Sequence, residues 1–128
     1  MVIGADITLI GWGAQITVLK EASRLAKEKN NVSCEIIDLQ TIMPWDKKAI
    51  VKSVQKTGRL IIAHEAPKTA GFAAEIAAQI QEECIYNLKS PILRVTGWDT
   101  PFPLVFEKVY LPDILRCYEA IVSSTKSS

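Results

Sequence analysis

The side chains of this 128-residue chain that could do chemistry collect at four places, each directly after a short apolar run. They are Gly11, Trp12 and Gly13; Asp38, Gln40 and Thr41; His64 and Glu65; and Gly97, Trp98 and Asp99. If the runs are strands of an open α/β sheet, these are the carboxyl ends, where such sheets meet ligands and partners in a crevice. The rim would then carry Asp38, Asp99, the His64–Glu65 pair and two tryptophans. A carboxylate beside an imidazole raises its basicity and fixes its tautomer, the pairing a general base needs. Neighbours on a strand point to opposite faces, so His64 and Glu65 meet only if the chain turns at Glu65. A lone strand-end histidine otherwise satisfies a loop carbonyl or packs at an interface.

Gly11-Trp12-Gly13 opens a helical pattern, with Asp38 at the end of the next run, and this imitates a dinucleotide fingerprint. The third glycine is missing. Position 16 is Ile, which should hold the helix away from the strand, and Trp12 stands where backbone must approach a pyrophosphate. A tight strand-to-helix turn with Trp12 packed on a neighbour is the better reading, although first-turn amides can accept an anion weakly. Cys34, Cys84 and Cys117 are odd in number and widely spaced, with no CxxC pair. That argues against a disulfide framework and a zinc site, and for small core residues in a reducing compartment. One histidine excludes a site built on a His pair.

Trp98, Pro101, Phe102, Pro103 and Phe106 make a stiff, apolar loop followed by Val109, Tyr110 and Leu111. Aromatic anchors of this kind serve interfaces, so a subunit contact competes with internal packing. Fifteen Lys plus Arg against fourteen Asp plus Glu leave a formal charge of +1, without a run of like charge for a nucleic-acid groove or a polybasic membrane anchor. No stretch approaches the roughly 18 apolar residues of a membrane span, and no basic, apolar leader opens the chain. A soluble chain without an address is expected. No catalytic, cofactor-binding or metal residue is assigned on this reading; the candidates for an interface or rim are His64, Glu65, Trp98, Asp99, Pro101 and Phe102.

The elements that must position these residues follow from periodicity and punctuation. Strands are expected over 7–12, 32–39, 59–64 and 92–96. A helix from Gly13 to Asn30 or Asn31 buries Val18, Ala22 and Leu25. A second, capped by Asp46 and stopped by Gly58, buries Ile50, Val54 and Ala49 and turns Lys47, Lys48, Lys52 and Lys56 outward. A third, from Phe72 to about Leu88, buries Ile76, Ile80 and Cys84 or Ile85. A fourth starts near Pro112 and Asp113 and uses Ile114, Tyr118 and Ile121, before a Ser-rich tail at 123–128 expected to fray. Alternating strands and helices with short connections predict one α/β domain over 1–128, a parallel sheet between two helical layers.

The strings DITLIGWGAQ (6–15), CEIIDLQTIMPWD (34–46), KTGRLIIAHEAPKTAGFAAEI (56–76), QEECIYNLKSPILRVTGWDTPFP (81–103) and YLPD (110–113) resemble the C-terminal domain of the β subunit of the thiamine-diphosphate-dependent 2-oxo acid dehydrogenases, the transketolase C-terminal type. HEAP at 64–67 and GWDTPFP at 97–103 look like its branched-chain 2-oxo acid dehydrogenase members. The resemblance implies a mainly parallel sheet of order 2-1-3-4, with a leading antiparallel edge strand largely missing and the strand over 32–39 left as an edge. It implies an α2β2 heterotetramer whose thiamine diphosphate and magnesium lie between the α subunit and the N-terminal part of β, so that this chain holds no cofactor. The partners implied are those two, a second β subunit, and the peripheral subunit-binding domain of the acyltransferase core. The location implied is the mitochondrial matrix in a eukaryote or the cytoplasm in a bacterium. The competing possibility is an independent ligand-binding or enzymatic domain using the rim of Asp38, His64, Glu65 and Asp99.

Overall fold

The structure is a computed structural model, and it describes residues 4–11, 15–39, 47–64, 70–96 and 112–126. Short β-branched runs become strands β1 (Ile7–Gly11), β2 (Cys34–Asp38), β3 (Leu60–His64) and β4 (Leu93–Thr96), alternating with helices α1 (Gln15–Asn30), α2 (Lys47–Thr57), α3 (Ala70–Glu83) and α4 (Pro112–Lys126). All three strand pairings are parallel. The sheet order is β2-β1-β3-β4, as the resemblance implied.

Strand side chains alternate between the two faces, and each face has its own core. Ile7, Leu9, Cys34, Ile36, Ile61 and Ala63 pack with Leu19, Ala22 and Ala26 of α1 and with Cys117 and Ile121 of α4. Ile10, Ile37, Leu60 and Ile62 pack on the other face with Ile50 and Val54 of α2 and Ile76 and Ile80 of α3. The result is three layers, helix on sheet on helix. Each fully buried Ile or Leu in them contributes roughly 2 kcal/mol relative to exposure.

Helix ends follow local chemistry. Asn31 takes a left-handed φ of 55° after α1, and Gly58 a φ of 76° after α2, the conformation that closes a helix with little steric cost in glycine. The Gly58 amide donates to Val54 O at 2.7 Å.

Packing shifts several expected positions. The buried stripe of α1 is Gln15, Leu19, Ala22 and Ala26, while Leu25 is half-buried and Val18 is a partly buried neighbour of the core. Both sets obey helical spacing; the small side chains of Ala22 and Ala26 are the ones turned to the sheet and α4. In α2 the buried face is Ile50, Ser53, Val54 and Thr57, with Ala49 half-buried. α3 ends at Glu83, a turn follows, and Cys84 rather than Ile85 is buried. Residues 123–126 of the Ser-rich tail form the last turn of α4, with Ser124 buried.

Candidate functional site

The parallel register lines up the strand ends at which the sequence places its chemistry. Gly11 stands opposite Asp38 on one side and Ala63 on the other, and His64 stands opposite Thr96. Asp38 is exposed. The backbone therefore brings the ends after β1, β2, β3 and β4 to one edge of the sheet, so Asp38 and His64 share a rim. The other residues expected there, Trp12, Gly13, Gln40, Thr41, Glu65, Gly97, Trp98, Asp99, Pro101 and Phe102, lie outside the described residues.

Gly11 has a local reason to be glycine. A Cβ there would come 2.8 Å from Leu19 Cδ1, so the bare backbone admits the first full turns of α1 against β1. Ile16, expected to hold the helix off, instead packs partly buried against the core.

The opposite, amino-terminal edge carries a polar cluster that sequence reasoning missed. Glu35 of β2 is only 2% exposed, and its Oε1 accepts from Lys56 Nζ at 2.5 Å and from the Gly4 amide at 3.2 Å. Thr8 Oγ1 of β1 lies 2.7 Å from Ser53 Oγ and 2.8 Å from Thr57 Oγ1, both on α2. The Thr57 hydroxyl also donates to Arg59 O at 3.1 Å. Gly4 can sit here because it has no side chain: a Cβ would meet the carbonyl carbon and oxygen of Cys34 at 2.4 Å. Burial pushes the Glu35 carboxyl up, but hydrogen bonds from Lys56, Ser53 and the Gly4 amide, with the Lys56 charge, outweigh it and hold the group below the ordinary carboxylate value.

A second polar tie joins Arg59 Nε to Ser124 O at 2.9 Å, and Ser90 Oγ to Ser124 Oγ at 2.8 Å. Among the described residues no buried side-chain nitrogen or oxygen lacks a partner, so the buried groups of this edge are satisfied internally. Its chemistry is structural: it locks β1, β2 and α2 together. Signals were present in the sequence, namely Glu35 interrupting an apolar strand and Ser53 and Thr57 at i, i+4 on the inner stripe of α2.

All three cysteines are free and buried. Burial pushes the Cys34 thiol up to about 11, and burial with the adjacent Glu83 charge raises Cys84, so neither is a ready nucleophile. Among the described residues, two shallow grooves lie on the helical layers. One, of about 360 Å³, is lined by Lys47, Lys48, Val51, Lys52, Gln55 and Glu83. The other, of about 500 Å³, lies where the end of α1 meets α4, and there the Tyr118 hydroxyl donates to Asn30 Oδ1 at 2.6 Å.

Comparison with known proteins fits this frame. The chain is 61% identical over 118 residues to a Dictyostelium discoideum protein named 2-oxoisovalerate dehydrogenase subunit beta, mitochondrial; the match covers 92% of this chain and 32% of that protein. A Pseudomonas aeruginosa protein named 2-oxoisovalerate dehydrogenase subunit beta is 45% identical over 113 residues, 88% of this chain and 31% of its own length. The chain thus spans about a third of these relatives. Among solved structures, a split-gene transketolase described as an inactive beta4 tetramer superposes with a TM-score of 0.74 at 18% identity, over 98% of this chain and 40% of that one, which shows a shared fold. Residues 2–116 match the family described as Transketolase, C-terminal domain, and the chain belongs to that family.

Proposed function

We propose that this chain is the assembly and partner-docking domain of the β subunit of a branched-chain 2-oxo acid dehydrogenase. The whole enzyme would decarboxylate branched-chain 2-oxo acids and pass the acyl group to lipoyl-lysine. The observation that carries this is the 61% identity, across 92% of the chain, to a protein named 2-oxoisovalerate dehydrogenase subunit beta. Identity at that level over a single domain supports a shared role for the domain.

The proposed partners are the α subunit, the N-terminal part of β, a second β subunit and the peripheral subunit-binding domain of the acyltransferase core. The loop with Trp98, Asp99, Pro101 and Phe102, together with His64 and Glu65, is the proposed contact region. Thiamine diphosphate and magnesium belong, on this proposal, to the other parts of the enzyme. Among the described residues there is no group of three His, Cys, Asp or Glu that could hold a metal ion. In a eukaryote the proposed place is the mitochondrial matrix, a reading supported by the word mitochondrial in the Dictyostelium relative's name; in a bacterium it is the cytoplasm.

The alignment of Asp38, Gly11, His64 and Thr96 on one edge also suits an independent domain with a ligand at the rim. Titrating the chain with thiamine diphosphate and Mg²⁺ separates the two readings. No saturable binding, followed by 2-oxo acid decarboxylation once the α subunit and the N-terminal part of β are added, supports the assembly role. Saturable binding by the chain alone overturns it.

A further inference from the structure

Helix α2 carries four lysines, Lys47, Lys48, Lys52 and Lys56, and no acid. Subtracting those four charges from the chain's formal +1 leaves −3 on all the rest, so α2 is a cationic helix in a chain whose remainder is net acidic. Lys56 is held by Glu35 and Lys47 by Glu83, the latter at 3.0 Å. Lys48 and Lys52 are exposed and make no ion pair among the described residues. Two lysines in a first turn also oppose the helix dipole, which favours anions there.

The lysines do not stand alone. Lys47, Lys48 and Lys52 line the 360 Å³ groove with Val51, Gln55 and Glu83, and the turn that follows Glu83 carries two exposed apolar residues. The segment after α3 is pinned along α2 at three points: Glu83 to Lys47, Cys84 Sγ to Val51 O at 4.0 Å, and the Lys89 amide to Gly58 O at 2.7 Å. Between these pins stand Ile85, 53% exposed, and Tyr86, 98% exposed. An isolated exposed apolar residue is ordinary, but two adjacent large ones on a turn pinned along a lysine-bearing helix combine an anchor with a charged rim.

We infer that the outer face of α2 and the Ile85–Tyr86 turn form a docking surface for a partner-protein segment that is acidic and carries a large apolar side chain between its carboxylates. The lysines supply charge complementarity and steering, and Tyr86 and Ile85 supply the desolvated contact. A polyphosphate chain or a lipid headgroup would use the lysines and leave the apolar pair idle, and a second copy docked by the same face about a two-fold would bring like charge to like. The inference does not depend on the dehydrogenase reading and concerns a different part of the molecule from the proposed strand-end contacts.

The test uses the 128-residue chain and a dye-labelled synthetic peptide alternating Glu with Leu around a central Phe, followed by fluorescence anisotropy. A twin peptide with Gln for every Glu is the control. The expected result is saturable binding of the acidic peptide that weakens with added salt and is absent for the twin. The double change Lys48→Gln/Lys52→Gln and the single change Tyr86→Ser should each weaken binding about tenfold, while Lys126→Gln, on the far groove, leaves it unchanged. These side chains are exposed, so the unfolding midpoint should not move. Equal binding of both peptides, or indifference to either the lysine or the Tyr86 change, overturns the inference. So does capture of the chain by phosphatidylserine vesicles or single-stranded DNA independently of Tyr86, or a Tyr86-dependent dimer in sedimentation.

Discussion

The two faces of the sheet are held by different physics. The α1/α4 face is apolar over the sheet, with Ala22 and Ala26 letting helices close on the strands and Leu19 fitted beneath Gly11, and the buried polar tie of Arg59 and Ser90 to Ser124 holds no carboxylate. The α2/α3 face is apolar at its centre but ends in a polar lock of Thr8, Glu35, Ser53, Lys56 and Thr57. Close packing resists volume changes and is indifferent to pH. A buried carboxylate held by one ammonium is indifferent to small volume changes and sensitive to its partner and to protons. The contrast teaches that two apolar faces of one sheet can differ in whether a buried ion pair is added to the packing.

The largest break should come on the first face. Leu19→Ala leaves a cavity under β1 and should cost about 3 kcal/mol in urea unfolding, by a similar amount at neutral and mildly acidic pH. Gly11→Ala should also destabilise, and by less in a Leu19→Ala background, because the clashing Cδ1 is gone; additive losses would show that the two residues do not meet.

On the second face, Lys56→Met should cost about 2 kcal/mol at pH 7. That is below the usual range for a broken buried pair because Lys56 is 47% exposed and already shares its charge with water. Protons should report the same lock. Since the folded Glu35 carboxyl lies below its ordinary value of 4.5, the unfolded chain binds its proton first. Its stabilising effect is therefore full above about that value and is lost as pH falls through the lower folded one. Glu35→Gln should flatten this part of the acid limb in unfolding curves measured across that range, and an unchanged acid limb would remove Glu35 from the account.

Gly58→Ala is expected to cost about 1 kcal/mol or somewhat more by thermal melting, because the left-handed φ of 76° and the Asn87 carbonyl oxygen, 2.9 Å from the added Cβ, both oppose it. The smallest effect belongs to the lysines of the outer face: Lys48→Gln/Lys52→Gln should change stability by less than about 0.5 kcal/mol, whatever it does to peptide binding. Thiol labelling adds a qualitative check. Cys34, Cys84 and Cys117 are buried, so a maleimide should react with them only when the chain opens, at the rate of unfolding.

Much of this was legible in order of appearance. The runs ITLIG, CEIID and LIIAH are too short and too β-branched for helices, and the glycine and asparagine stops at Gly58 and Asn31 are signalled by residue type alone. Legibility fails where two solutions satisfy one period. Val18/Ala22/Leu25 and Leu19/Ala22/Ala26 are equally helical, and only the sheet and α4 distinguish them. Cys84 and Ile85 are adjacent, and the turn after Glu83 buries the smaller. Of the α2 lysines only Lys47 and Lys48 are adjacent in sequence, yet Lys52, four residues on from Lys48, joins them at a single groove once the chain is wound at helical pitch.

For the strand-end rim, residue type and spacing were enough to place Asp38 and His64 at the carboxyl ends of neighbouring runs, because strand length and alternation are local properties. That β1 lies between β2 and β3, so that Gly11 stands beside both Asp38 and Ala63, is a matter of chain path, and periodicity carries no information about which strand is whose neighbour; it was the family resemblance that anticipated the order. The polar lock is the clearest case of what packing alone decides. Glu35, Thr8 and Lys56 are far apart along the chain, and a charge in an apolar strand becomes tolerable only when the fold supplies the ammonium, the hydroxyls and the Gly4 amide around it. Local sequence sets what each segment can become, whereas desolvation is a property of the whole assembly and is settled only when distant segments close around the same point.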